Sequence, residues 1–306
     1  MRLFGRRSSK APAAELPFSP QFRRVLLELV RRAPRRPSRV DDSGPARRRL
    51  FSRSGTFAGH RRYAGGDDVR DIDWHAYART GALFAKVLQE EERRTLTLLV
   101  DLSASLDAGL PPRRVALLRF AAIEGALALA RLDALYLVTG NGQCTTLRGA
   151  ASLDALLAEL ERAPRAHAPL QMVQRPLDDG HTGLFVWLSD FAPPSAVAPA
   201  LGLLRRHGRR CVGVLPEMAD DRAPDARGVV ALRDPESGER RVVRVDAALR
   251  QAMAEELGAL RRAQDAVFAE RGFALVRVPV PPAGDLTLST WARPWLRDLR
   301  ARAVTS

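Results

Sequence analysis

Two carboxylates and three hydroxyls stand in this 306-residue sequence at places where buried strands are expected to end. The first group is Asp101-Leu102-Ser103-Ala104-Ser105, one acid and two hydroxyls at alternate positions after the apolar run Leu96 to Val100. The second is Ser189-Asp190, directly after Leu184-Phe185-Val186-Trp187-Leu188. Where a strand runs out into a loop, alternate spacing lets oxygens converge on one point. A small set of hard oxygen donors suits Mg²⁺ (or Mn²⁺), which keeps several of its own waters. Asp and Ser also serve turns and helix caps, so the triplet alone fits either role. The second carboxylate adds weight to the cation reading: in an open doubly wound sheet, ligands sit beyond the carboxyl ends of strands where strand order reverses. Asp101, Ser103, Ser105 and Asp190 are therefore the candidate metal ligands.

The elements that must position these residues follow from periodicity. Leu96 to Val100 reads as a first strand. Pro111-Pro112 opens a helix to about Leu132, with Val115, Leu118, Ala122, Ala126 and Leu129 on one face. Strands are expected at Leu135 to Thr139, Leu184 to Leu188, Val212 to Leu215 and Ala274 to Val278. Helices are expected at Leu153 to Leu160, Val197 to Arg206, Ala247 to about Arg271 and Leu286 to Leu299. This alternation predicts an α/β fold with a doubly wound, mostly parallel, Rossmann-like sheet covered on both faces. Val229 to Leu232 and Arg241 to Val245 flank Asp234-Pro235-Glu236-Ser237-Gly238, the composition of an inserted β-hairpin. The chain divides into a basic, partly loose segment (residues 1–50) holding one amphipathic stretch, Phe18 to Val30, a lead-in module (residues 51–94), and the α/β domain (residues 95–306).

The lead-in module reads Phe57-x-x-x-Arg61-x-Tyr63-x-x-Gly66-Asp67-Asp68-x-Arg70-x-Ile72-Asp73-Trp74, followed by Ala78-Arg79-Thr80-Gly81 and Glu91-Glu92-Arg93. This pattern resembles the signature of the bacterial family called domain of unknown function 58. Asp101-x-Ser103-x-Ser105 with Asp190 likewise resembles the metal-ion-dependent adhesion site of von Willebrand factor type A domains. The resemblance implies a von Willebrand factor type A-like sheet of strand order 3-2-1-4-5-6, and a role as interaction partner of MoxR-type AAA+ ATPases in assembling or activating other protein complexes. Arg61, Tyr63, Gly66, Asp67, Asp68, Arg70, Asp73, Trp74 and Arg79 form its structural or interaction motif. Two departures stand out. Ser52, Ser54 and Thr56 replace the glycines and Glu that tend to precede the Phe. The stretch that would supply an adhesion-site threonine, about Arg165 to Leu170, has no hydroxyl.

The remaining chemistry is excluded class by class. A cation held by few carboxylates keeps an open position for an acidic side chain of a protein ligand, which is recognition and not catalysis. No catalytic residues are assigned and the chain is read as non-enzymatic. It has no Gly-x-x-x-x-Gly-Lys phosphate loop. A haloacid-dehalogenase-type phosphatase would need an acid where Ser103 stands. The acids Asp67, Asp68, Asp71 and Asp73 lie among Arg61, Arg62, Arg70 and Arg79, where ion pairs would lock a turn and a Trp74 anchor better than they would hold a nuclease metal. The five histidines lack metal-ligand spacing and read as surface or loop residues. Cys144 and Cys211 form no Cys-x-x-Cys pair. All but two of the 49 basic residues, Lys10 and Lys86, are arginine, and the net charge is +14. That charge supports an alternative, binding of nucleic acid or an anionic surface through Arg31, Arg32, Arg35, Arg36, Arg39, Arg47, Arg48 and Arg49. With no apolar span of about 20 residues and no signal peptide, the chain is expected in the cytoplasm.

Overall fold

A computed structural model describes residues 17–32, 56–64, 69, 72–89, 95–107, 113–132, 134–218, 221, 227–234 and 237–280. The chain forms two compact units: Arg36–Arg93, and the residues on either side of that stretch. The sequence placed residues 1–50 in one segment. Here the described residues 17–32 group with the α/β unit instead, because α1 (Pro20–Arg32) buries Phe22 and Leu26 in that unit's core against the helix Arg113–Arg131. Arg119, itself buried, donates from Nε to the Pro17 carbonyl at 3.0 Å and lies over the Phe22 ring. The expected helix at Leu286 to Leu299 and the arginines from Arg35 to Arg49 lie outside the described residues.

In the smaller unit, β1 (Thr56–Arg62) and β2 (Phe84–Gln89) pair antiparallel, with α2 (Trp74–Thr80) between them. The larger unit follows the rhythm expected of it. Six strands form one sheet: β3 (Thr95–Val100), β4 (Ala134–Thr139), β5 (Cys144–Leu147), β6 (Leu184–Leu188), β7 (Arg210–Glu217) and β10 (Ala274–Pro279). Their spatial order is β10-β7-β6-β3-β4-β5. Counting only these strands in chain order, that is 3-2-1-4-5-6 read from the far edge, the order the resemblance implied. Every pairing is parallel except β4 with β5.

Alternation along each strand decides which layer it feeds. Leu96, Leu98 and Val100 face one core with Val186 and Leu188, under α1, α3 (Arg113–Arg131) and α4 (Leu153–Arg162). Leu99, Phe185 and Trp187 face the other, with residues of α5 (Pro169–Asp178), α6 (Pro194–Arg206) and α7 (Ala247–Ala269). All six residues of β3 are buried, the mark of a central strand covered on both sides. The expected hairpin is present as a separate two-stranded sheet, β8 (Gly228–Arg233) with β9 (Arg240–Val245). Its turn closes through Asp234 N–H to the Glu239 carbonyl at 2.9 Å.

If α1 is an integral layer, Leu26→Ala should lower stability by about 2–5 kcal/mol, as for other fully buried leucines. Urea denaturation followed by circular dichroism measures this; a midpoint unchanged from the parent would show that α1 adds nothing to the core.

Candidate cation-binding site

The site is built where β3 and β6 end side by side. Their parallel register pairs Val100 with Leu188, so the next residues, Asp101 and Ser189, leave the sheet together. The Asp101 N–H still donates to the Leu188 carbonyl at 2.9 Å, and the Ser189 N–H to Val214 at 3.2 Å. Both residues are fully buried, and a carboxylate in that position must be matched with donors. Asp101 Oδ1 accepts from the Ser103 N–H at 3.0 Å. Oδ2 accepts from Ser189 Oγ at 2.6 Å and lies 2.7 Å from His167 Nδ1.

The other three candidate ligands form a chain of oxygens. Ser103 Oγ lies 2.9 Å from Ser105 Oγ, and Ser105 Oγ donates to Asp190 Oδ2 at 2.8 Å. The Asp190 backbone carbonyl accepts from Gln264 of α7 at 2.8 Å, and Asp190 Oδ1 from the Ala192 N–H at 3.1 Å. Phe191, next in the chain, has φ of 49°, a conformation that a bulky side chain adopts at a cost of order 1–3 kcal/mol. Its fully buried ring meets Trp187 and Phe268 edge-on, at 5.7 and 4.9 Å, which fixes the turn. The sequence thus identified four residues that do come together, although they are 85 or more positions apart across the two strands.

The donor set fits Mg²⁺. Two serine hydroxyls and a carboxylate are the hard oxygen donors that such an ion takes. Asp101 already accepts from the Ser103 N–H and Ser189 Oγ and has His167 beside it, so of about four acceptor positions on a carboxylate it has about one left. It would meet a cation through a water, with Ser103, Ser105 and Asp190 as direct donors.

His167 is a partner of Asp101 that the sequence reading, which took every histidine as a surface or loop residue, did not name. It does lie in a loop, but it reaches a buried carboxylate from the very stretch, Arg165 to Leu170, that lacks a threonine hydroxyl. The local cause is Gly140, at the end of β4. Its carbonyl accepts from the Ala168 N–H at 2.9 Å, and a Cβ on it would stand 1.8 Å from the Ala166 carbonyl oxygen. Only a glycine lets the loop come this close.

In the smaller unit, Asp73 caps α2, its Oδ1 accepting from the His75 and Ala76 N–H groups at 3.0 Å, while Oδ2 lies 2.7 Å from His60 Nε2. Trp74, read from the sequence as an anchor, is the first residue of α2. It is 60% exposed and meets Tyr77 edge-on at 6.2 Å, because capping by Asp73 puts the next residue at the helix start, on its outer face. Tyr63 donates its N–H to the Leu83 carbonyl at 3.0 Å, and Arg79 is exposed in the last turn of α2. Gly66, Asp67, Asp68, Arg70 and the Arg61 side chain lie outside the described residues.

Strand order, with the switch point between β4 and β6 on either side of β3, defines a von Willebrand factor type A-like α/β domain. Residues 59–263 match the family described as "Protein of unknown function DUF58", and the chain belongs to that family. It is 30% identical over 219 residues to Uncharacterized protein Rv1480 of Mycobacterium tuberculosis and to Uncharacterized protein Mb1516 of Mycobacterium bovis, covering 66% of this chain and 67% of each relative. Among solved structures it is similar to the conserved hypothetical protein BatB from Bacteroides thetaiotaomicron (TM-score 0.39, 12% identity, 70% of this chain and 100% of that one). It is also similar to an aerotolerance-related membrane protein from Bacteroides fragilis (TM-score 0.40, 13% identity, again 70% and 100%). Manganese-loaded TRAP protein of Plasmodium vivax overlaps over 40% of this chain and 57% of that one, with TM-score 0.29 and 18% identity. The fold assignment rests on the strand order itself.

Gly140→Ala should cost about 1–3 kcal/mol, as overpacking does, and should move the His167 ring away from Asp101. Gly202→Ala, whose Cβ would meet nothing nearer than 3.8 Å, should be neutral or slightly stabilising. Urea melts and the imidazole NMR signals of both variants measure this; equal behaviour of the two would show that the loop tolerates displacement.

Proposed function

We propose that the protein is a non-enzymatic interaction module in which Ser103, Ser105 and Asp190, with Asp101 behind them, hold Mg²⁺ or Mn²⁺ and present it to an acidic side chain of a partner. The observation that carries the reading is the continuous oxygen chain joining the ends of β3 and β6. Such a set leaves positive charge on the cation and positions filled only by water, and an incoming carboxylate completes the shell. The partner class that the family resemblance implies is a MoxR-type AAA+ ATPase acting in chaperone-like assembly or activation. The absence of a phosphate loop from this sequence is consistent with the ATP chemistry residing in that partner.

Hydrogen-bond order supports recognition over catalysis. A Ser-His-Asp nucleophile gives its proton to the imidazole, whereas Ser189 gives its proton to the Asp101 carboxylate. Ser105 likewise gives its proton to an acid. A cytoplasmic location belongs to the same proposal; among the described residues no helix is long and apolar enough to cross a membrane.

Calorimetric titration of the full chain with Mg²⁺ and Mn²⁺ should give a saturable heat that Asp190→Asn and Ser105→Ala weaken at least tenfold. Asp101→Ala should abolish it, and circular dichroism of each variant verifies the fold. Heats from the parent that match those of Asp190→Asn would remove the cation from the proposal.

A further inference from the structure

A second group of ligand-type side chains lies away from the strand ends, on the face of the sheet that α5 covers. Cys144 opens the edge strand β5, Asp179 follows the last residue of α5, and His181 lies in the turn before β6. One ligand atom from each falls within 4.8 Å of the other two. None belongs to the Asp101 cluster, and two separate chain segments contribute to it, β5 and the turn Asp179-Gly180-His181 that joins α5 to β6.

Two observations point to a ligand. His181 is 8% exposed, and its Nδ1 is buried with no hydrogen-bond partner. A polar atom left in that state costs about 1–3 kcal/mol, unless something outside the chain compensates. The ring is also held in place: it stacks on Tyr136 of β4 with centroids 3.6 Å apart and planes 18° from parallel.

We propose that Cys144, Asp179 and His181 form a binding site for Zn²⁺ or a similar borderline transition metal, with water in the fourth position. Sulfur, imidazole and carboxylate together select this class over Mg²⁺. Bond lengths of 2.0–2.3 Å put ligand atoms about 3.3–3.8 Å apart in a tetrahedron, so closing the set takes a movement of about 1 Å. Asp179 can supply it. Its side chain is 46% exposed, at a helix end, held by Arg175 at 3.5 Å. The metal would clip the edge strand β5 to the segment joining α5 and β6.

Cobalt provides the test. The full chain, reduced and stripped with chelator, is titrated with Co²⁺. One equivalent should produce a thiolate-to-cobalt charge-transfer band that Zn²⁺ then bleaches. Cys144→Ser should abolish the band, His181→Gln and Asp179→Asn should weaken cobalt affinity at least tenfold, and Cys211→Ser should leave the band intact, since Cys211 is buried elsewhere in the core. Asp179→Asn, at an exposed position, keeps the test available if Cys144→Ser fails to fold. No band in the parent, or a band lost with Cys211 and kept without Cys144, overturns the proposal. Asp190→Asn should not affect the band, because the strand-end cluster has no sulfur; failure of one site is thus distinguishable from failure of the other.

Discussion

A carboxylate removed completely from water must be answered donor by donor, and in this protein that constraint falls on Asp101. Its partners come from its own loop, from the end of the adjacent strand and from the loop that precedes α5. Charge-assisted hydrogen bonds contribute about 1.5–3 kcal/mol each, and leaving such a charge unmatched costs more than any one of them returns. Three chain segments are therefore held to a common point. The serine chain and Asp190 inherit their positions from that arrangement, and the Gln264 contact extends it to α7. Arg277 donates in turn to Gln264 Oε1 at 3.2 Å and forms an ion pair with Asp265, so the far edge strand also bears on the site.

Most of the sheet was legible because parallel strands buried on both faces are written as unbroken apolar runs. Leu184 to Leu188 matches its strand residue for residue, and α3 matches its 3.6-residue stripe to within two residues at each end. The elements that escaped have a physical reason to do so. β5 is Cys-Thr-Thr-Leu, a short edge strand whose pairing is set by the Gly140-Asn141-Gly142 turn and not by its own hydrophobicity. α5 carries Pro176 inside and begins at Pro169, so its sequence reads as broken. β1 and β2 pair across about twenty residues, and Thr-Phe-Ala-Gly-His-Arg-Arg has no clean alternation.

The candidate site was legible to the same degree, and for the same reason. Its carboxylates and serines sit at strand ends that periodicity locates. His167 could have been found: the stretch opposite Asp101 was already marked by its missing hydroxyl, and a histidine is the one polar side chain there, apart from Arg165, able to donate to a carboxylate. The Cys144-Asp179-His181 group could not. Asp179 and His181 share one turn, but Cys144 lies 35 positions earlier on β5, an edge strand with no sequence signature, so nothing in the sequence predicts that it meets them.

The chain path through the two units has a practical consequence for dissecting the protein. The smaller unit is inserted between α1 and β3, both of which belong to the larger one. A fragment trimmed to begin at the first strand of the sheet would discard α1 and lay bare the surface of α3 on which it packs. Such a piece would carry a sticky greasy stripe of its own making. A faithful minimal version would instead excise residues 36–93 and bridge the gap, keeping both flanks of the insertion in a single polypeptide.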